Sequence, residues 1–191
     1  ALAVAASPTG AIVVSDDPDL HVVAPGLPYG MVGTINSSGD VSGVLIGPWH
    51  VLTARHALPS PQGKWFRMDL PGGPWASGFD EVHRHPTADL AVGVLATPSP
   101  LPGYPLYTDS DELGREAALL GYGVSGTGAP MSEEYPRGRL RIGYNVVDSV
   151  TPSALACDFD DPALPGPQGS LGADREAIQA AGDSGGALLI D

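Results

Sequence analysis

Cysteine is nearly absent from this 191-residue chain, which carries only Cys157. One thiol excludes an intrachain disulfide and any cysteine-rich zinc site. Its setting, "SALACDFDD", is apolar and then acidic, with nothing cationic nearby in sequence. It therefore reads as a buried structural thiol rather than a nucleophile. Lysine and arginine are also scarce: 9, against 22 Asp and Glu, for a formal charge of −13. That average field repels nucleic acid and anionic membrane surfaces, and no basic patch reverses it locally. No apolar run approaches the roughly 18 residues needed to span a bilayer as a helix. Apolar spacing of period 3.6 never persists beyond about three turns, so long amphipathic helices are excluded. There is no internal repeat, Gly-X-Y period or low-complexity tract.

What the chain has in quantity is glycine, 26 residues, and proline, 20. Such punctuation suits many short strands joined by turns. "AIVV" (11–14), "GMVGTI" (30–35) and "VSGVLIGPWHVLTARHAL" (41–58) are dense in β-branched and aliphatic residues. "NSSGD" separates the last two as a hairpin-like turn. "KWFRMDL" (64–70) reads as a strand followed by the turn "PGGP", and "TADLAVGVLA" (87–96) as a buried strand. "PSPLPGYPL" (98–106) has four prolines in nine residues and reads as a linker between two halves. Beyond it, "EAALLGYGVSG" (116–126), "RLRIGYNVVDSV" (139–150) and "GALLI" (186–190) read as strands, and 158–175 as a long loop. The sum is an all-β chain in two groups of strands.

Three segments carry chemistry. In "VLTARHAL", His56 is surrounded by the small residues Thr53, Ala54 and Ala57, which leave room for neighbours to hold the ring. In "HPTADLAVGVL", Asp89 heads an apolar strand, where an unpaired carboxylate is costly to bury. It either caps a turn from a half-exposed position or accepts a hydrogen bond from an imidazole, fixing its tautomer. In "GDSGG", glycines flank Asp183 and Ser184. Glycine lets backbone N–H groups converge on a small volume, as an oxyanion pocket requires, and Ser184 needs a base to become a nucleophile. Taken alone, "GDSGG" is equally a surface turn.

Together, "VLTARHA", "ADLAVGVL" and "GDSGG", in that order, resemble the histidine, aspartate and serine boxes of the trypsin-like (chymotrypsin-fold) serine proteases. The resemblance covers residue 12 to the end. It implies two packed six-stranded antiparallel β-barrels, the second incomplete in this chain. Residues 1–11 would be an N-terminal extension or propeptide remnant. The first barrel would occupy 12–97 with His56 and Asp89, and the second 107–191 with Ser184. It further implies that His56 is the general base, Asp89 its orienting partner and Ser184 the nucleophile. The backbone N–H groups of Gly182 and Ser184 would form the oxyanion hole. The implied reaction is hydrolysis of a polypeptide substrate through an acyl-enzyme, with no cofactor and no metal, by a secreted or periplasmic protein.

"AIVV" resembles the family's activation site, where cleavage before Ile12 would free an α-amino group to pair with Asp183; uncleaved, the chain would be zymogen-like. Read without the resemblance, "AIVV" is a first strand. Ile178 stands six residues before Ser184, where relatives that prefer basic residues carry Asp, and implies a neutral or apolar P1 side chain. There are departures. Val41 and Ala57 replace the cysteines that bracket the histidine loop, His56 and Asp89 are only 33 residues apart, and "ALLID" ends the chain early. The expectation is that a further C-terminal segment or second chain completes the second barrel. The acidic stretch "DFDDP" (158–162) lacks the spacing of a calcium loop and reads as solvated. "EEYPRGRLR" is a candidate processing loop. The rival readings are a non-catalytic binding protein on a protease scaffold, and an esterase using the same triad.

Overall fold

A computed structural model describes residues 12–14, 17–36, 41–127, 135, 137–159, 171 and 175–190. Thirteen strands and one short 3-10 turn, Pro18–His21, make up its regular structure, with no α-helix among the described residues. Six strands close a barrel: β2 (Val32–Ile35), β3 (Val41–Gly47), β4 (His50–Thr53), β5 (Trp65–Leu70), β6 (Gly73–Arg84) and β7 (Ala91–Leu95). Their order is β2-β3-β4-β7-β6-β5, each pairing between them is antiparallel, and β5 returns to β2 through Thr34–Arg67 and Ile35–Phe66.

Period-two alternation explains the barrel. In β5, Phe66 and Met68 point inward and are wholly buried, while Trp65 and Arg67 face solvent. With Ile35, Leu45, Val51, Leu58 and Leu95, also wholly buried, they fill the interior. Each such side chain contributes about 1.5–3 kcal/mol on burial. Val41 packs against this core and Ala57 is buried, so both positions are held by apolar contacts.

The second half is more open. β8 (Glu116–Gly121) lies between β9 (Arg141–Val146) and β13 (Ala187–Ile190) in a three-stranded antiparallel sheet. β1 (Val13–Val14) pairs with β12 (Ala177–Ile178), and β10 (Ser149–Val150) with β11 (Leu155–Ala156). Among the described residues these strands form no second closed barrel. Residues 98–106 carry no strand and run along the first barrel, with Tyr104 N–H donating to Leu45 C=O at 2.8 Å. A shared cluster joins the halves: Val32 and Val44 from one, Leu120, Tyr122, Leu140 and Ala187 from the other.

Several elements differ from the sequence reading. β6 is a twelve-residue strand that begins inside "PGGP", because the turn there is tight enough for Leu70 to pair with Gly73. β7 starts only at Ala91 and alternates: Ala91, Gly93 and Leu95 are buried, Val92 and Val94 half-buried, as a barrel wall with an outer face requires. The segment 139–150 breaks at Val147–Asp148 into two strands. β11 and β12 are two residues each, too short to show any period. The readings for 1–11, most of "NSSGD", most of the 127–138 loop, most of 158–175 and three residues of "DFDDP" lie outside the described residues.

Candidate active site

β4 carries the chain out of the barrel through the wholly buried Thr53 and Ala54 and presents His56 at the surface, its side chain 51% exposed. Asp89 reaches it from the loop between β6 and β7. Arg55 ties the two segments together by donating through Nη1 to the carbonyls of His85 and Pro86, both at 3.2 Å. The loop is held internally by His85 Nδ1, which accepts from the N–H groups of Thr87 and Ala88. Asp89 then grips His56 at two points. Its Oδ1 accepts from the His56 backbone N–H at 2.9 Å, and its Oδ2 lies 2.6 Å from the ring Nδ1. A carboxylate only accepts, so Nδ1 carries the proton, and Nε2 of the neutral ring is left as an acceptor. Burial is the largest single influence on Asp89 and disfavours its charge. The hydrogen bonds and charge of His56, with Arg55 adding to them, together outweigh burial and hold the carboxyl below its ordinary value.

Ser184 is half-buried in the loop before β13. Its neighbour Gly185 has φ +82°, and a Cβ there would come within 2.1 Å of Thr53 Oγ1 and 2.4 Å of Ser42 C=O. Only glycine permits so close an approach, which seats the serine loop directly on the strand end leading to His56. Loop carbonyls are anchored one by one. Ala181 C=O accepts from Val124 N–H at 3.1 Å, and Asp183 C=O from Gly186 N–H at 2.6 Å. In a trans peptide the N–H points opposite to the C=O. These anchors therefore turn the N–H groups of Gly182 and Ser184 away from Val124 and Gly186.

Asp183 is 2% exposed. Its carboxylate accepts from Gly123 N–H at 3.0 Å and Ala180 N–H at 3.1 Å, and the Ile12 backbone N–H also approaches it. Burial is the dominant influence and raises its pKa from the ordinary 3.8 to about 6; the N–H donors and the buried Arg141 oppose it. Ile12 is 1% exposed and packs with Val14, Leu119 and Ala177, and its C=O accepts from Ser125 Oγ at 2.6 Å. Ile178 sits on β12 opposite Val13 and is 37% exposed. Cys157 is partly buried, and burial pushes its thiol up to about 11. No cluster of three or more metal-ligating side chains occurs among the described residues.

Sequence reasoning missed Ser42 as part of this site, and it named Thr53 and the "GDSGG" glycines without the contact that brings Gly185 against Thr53. Ser42 left one trace: it is a hydroxyl in the otherwise apolar run "VSGVLIG", where a buried polar group needs partners.

The closed barrel, the second sheet group and the junction between them define an all-β protein with the chymotrypsin-like fold of the trypsin-like serine proteases. No protein-family model and no curated protein sequence matches the chain. Among solved structures it is similar to neuropsin, a serine protease expressed in the limbic system of mouse brain, with a TM-score of 0.68 and 17% identity. That match covers 90% of this chain and 81% of neuropsin. It is similar to human heparin binding protein, with a TM-score of 0.62, 16% identity and coverage of 89% and 78%. A point mutant of that protein matches with a TM-score of 0.65, 15% identity and coverage of 90% and 78%. Among the described residues no helix is long and apolar enough to cross a membrane.

Proposed function

We propose that the protein is a serine endopeptidase in which Ser184 is the nucleophile, His56 the general base and Asp89 the partner that orients His56. The observation that carries this reading is the two-point grip of Asp89 on His56, which leaves Nε2 as the ring's acceptor; the seating of the Ser184 loop on the strand end that leads to His56 supports it. His56 Nε2 takes the proton from Ser184 Oγ as that oxygen bonds to the scissile carbonyl carbon. The carbonyl oxygen becomes an oxyanion facing the N–H groups of Gly182 and Ser184. When the C–N bond breaks, the imidazolium returns the proton to the leaving amine. Water then attacks the acyl-enzyme by the same route, giving the acid and restoring Ser184. Asp89, held ionised, stabilises the imidazolium formed in each half.

Ile178 supports a preference for a neutral or apolar P1 side chain, since it offers no charge to Arg or Lys. Cleavage of the Ala11–Ile12 bond would place an α-ammonium beside the buried Asp183 carboxylate and offset the cost of its burial, so the uncleaved chain would be the zymogen. Action outside the cytoplasm, secreted or periplasmic, goes with this reading. Two of the similar structures are named for binding heparin rather than for proteolysis, which motivates the rival of a binding protein on this scaffold. A formal charge of −13 opposes attraction to a polyanion of that kind.

The test is covalent labelling by a fluorophosphonate, read as intact mass, before and after cleavage at Ala11–Ile12. One adduct on the protein and none on Ser184→Ala is expected. A folded, cleaved protein that takes no adduct, or an adduct that survives Ser184→Ala, overturns the proposal. Peptide and short-ester substrates run side by side separate endopeptidase from esterase.

A further inference from the structure

We infer that Ser42 is a positioning residue for the oxyanion pocket, an inference that rests on the proteolytic reading above. Ser42 lies on β3 with no exposed surface. Every polar group it owns is engaged with the site. Its Oγ donates to Gly182 C=O at 3.0 Å and accepts from Tyr122 N–H at 3.0 Å. Its N–H donates to Ser184 C=O at 3.0 Å, and its C=O accepts from Thr53 Oγ1 at 2.8 Å. One side chain and its peptide groups thus join the first barrel, the strand that leads to His56, the end of β8 and the serine loop.

The geometry explains why a hydroxyl is needed there. Gly182 has φ +96°, a conformation open to glycine, and brings no side chain of its own to hold the 182–183 peptide. It is pinned at both ends instead. Ser42 Oγ–H holds its C=O, and Ala180 C=O accepts from its N–H, that of Asp183, at 3.0 Å. Two residues on, the Ser42 N–H holds the C=O of Ser184. Ser42 therefore fixes the carbonyl of each residue whose N–H is to face the oxyanion. Removing Oγ leaves Gly182 C=O and Tyr122 N–H buried without that partner, an arrangement proteins avoid. Turning the 182–183 peptide relieves it, and because that peptide lies between the two that carry the Gly182 and Ser184 N–H groups, the turn strains both. Because the oxyanion exists only in the transition state, the loss falls on kcat and not on substrate binding.

The experiment compares wild type, Ser42→Ala and Ser42→Thr, using the protein cleaved before Ile12. Three quantities are read per folded molecule: kcat and KM on a peptide ester, the rate of fluorophosphonate labelling, and amide exchange over 180–186. A donor displaced by about 1 Å costs about 10²-fold in rate. Ser42→Ala is therefore expected to lose about 10²-fold in kcat and in labelling, with KM within about threefold and faster exchange in the loop. Ser42→Thr, which keeps the hydroxyl, is expected to recover most of the loss. If Ser42→Ala does not fold, Ser42→Cys, with a weak donor in nearly the same volume, is read in its place. The inference is overturned if Ser42→Ala keeps kcat within about threefold, or if KM rises while kcat holds. An unreactive wild type overturns the proteolytic reading instead. Exchange at 180–186 then still decides the claim about the loop, which fails if Ser42→Ala leaves exchange unchanged.

Discussion

Stability should fall as pH rises through the range in which Asp183 ionises, and Asp183→Asn should abolish that fall. Asp183 is 2% exposed, and burial lifts its pKa from 3.8 to about 6 in the folded chain. Between those values the folded protein holds a proton that the unfolded chain has released, so the folded state binds more protons and loses stability as pH rises. Its stabilising contribution is complete below about pH 3.8 and gone above about pH 6. At about 1.4 kcal/mol per pH unit the whole effect is about 3 kcal/mol, of which about 2 kcal/mol falls between about pH 4.5 and about pH 7.5. The assay is urea unfolding of wild type and Asp183→Asn across that range, with the m-value checked for constancy. The asparagine side chain offers one oxygen where the carboxylate offers two, so one of the Gly123 and Ala180 N–H groups loses its acceptor in the variant. That penalty does not change with pH, and the other titrating groups are common to both proteins, so the difference between the two curves isolates this carboxyl. The variant should gain on wild type by about 2 kcal/mol from the acid to the neutral end. A flat difference would refute the reasoning. A difference of opposite slope would mean that the N–H donors and Arg141 outweigh burial and hold the folded pKa below 3.8.

Asp89→Asn should lower kcat by about 10⁴-fold with little change in stability, because Asn can donate to the ring at Nδ1 and leave the proton on Nε2, the wrong atom for a base. The check is a pH–rate profile beside a thermal melt; an Asn variant within about tenfold of wild type would remove Asp89 from its assigned role. Cys157 should resist thiol reagents in the native protein at neutral pH, since burial pushes its thiol up to about 11 and little thiolate is present. Timed alkylation with iodoacetamide, native against urea-unfolded, measures this; native labelling as fast as unfolded would contradict it.

Local chemistry was legible because it is local. Glycine and proline mark turns and β-branched and aliphatic runs mark strands, so "KWFRMDL" was readable as a strand, while the side of it that fills the barrel was shown only by the fold. His56, Asp89 and Ser184 were visible as residue types in order, and the bond of Asp89 to His56 was one of two open readings until the fold joined them across 33 residues. β12 had no period to announce it, since two residues show none, and it exists only because β1 lies alongside.

The all-β class, the two groups of strands, the acidic surface field and the three candidate side chains His56, Asp89 and Ser184 were thus set at the level of sequence. Everything that depends on residues distant in the chain was left to the packing of the fold. Packing buried Asp183, so that its proton became linked to stability. It brought Gly185 against Thr53, which only a residue without a side chain allows. It placed the hydroxyl of Ser42 on the carbonyl of Gly182, 140 residues away. Propensity and pattern report what a residue does among its neighbours in sequence; a hydrogen bond across that separation is set by how two halves pack, and no short window of sequence contains it.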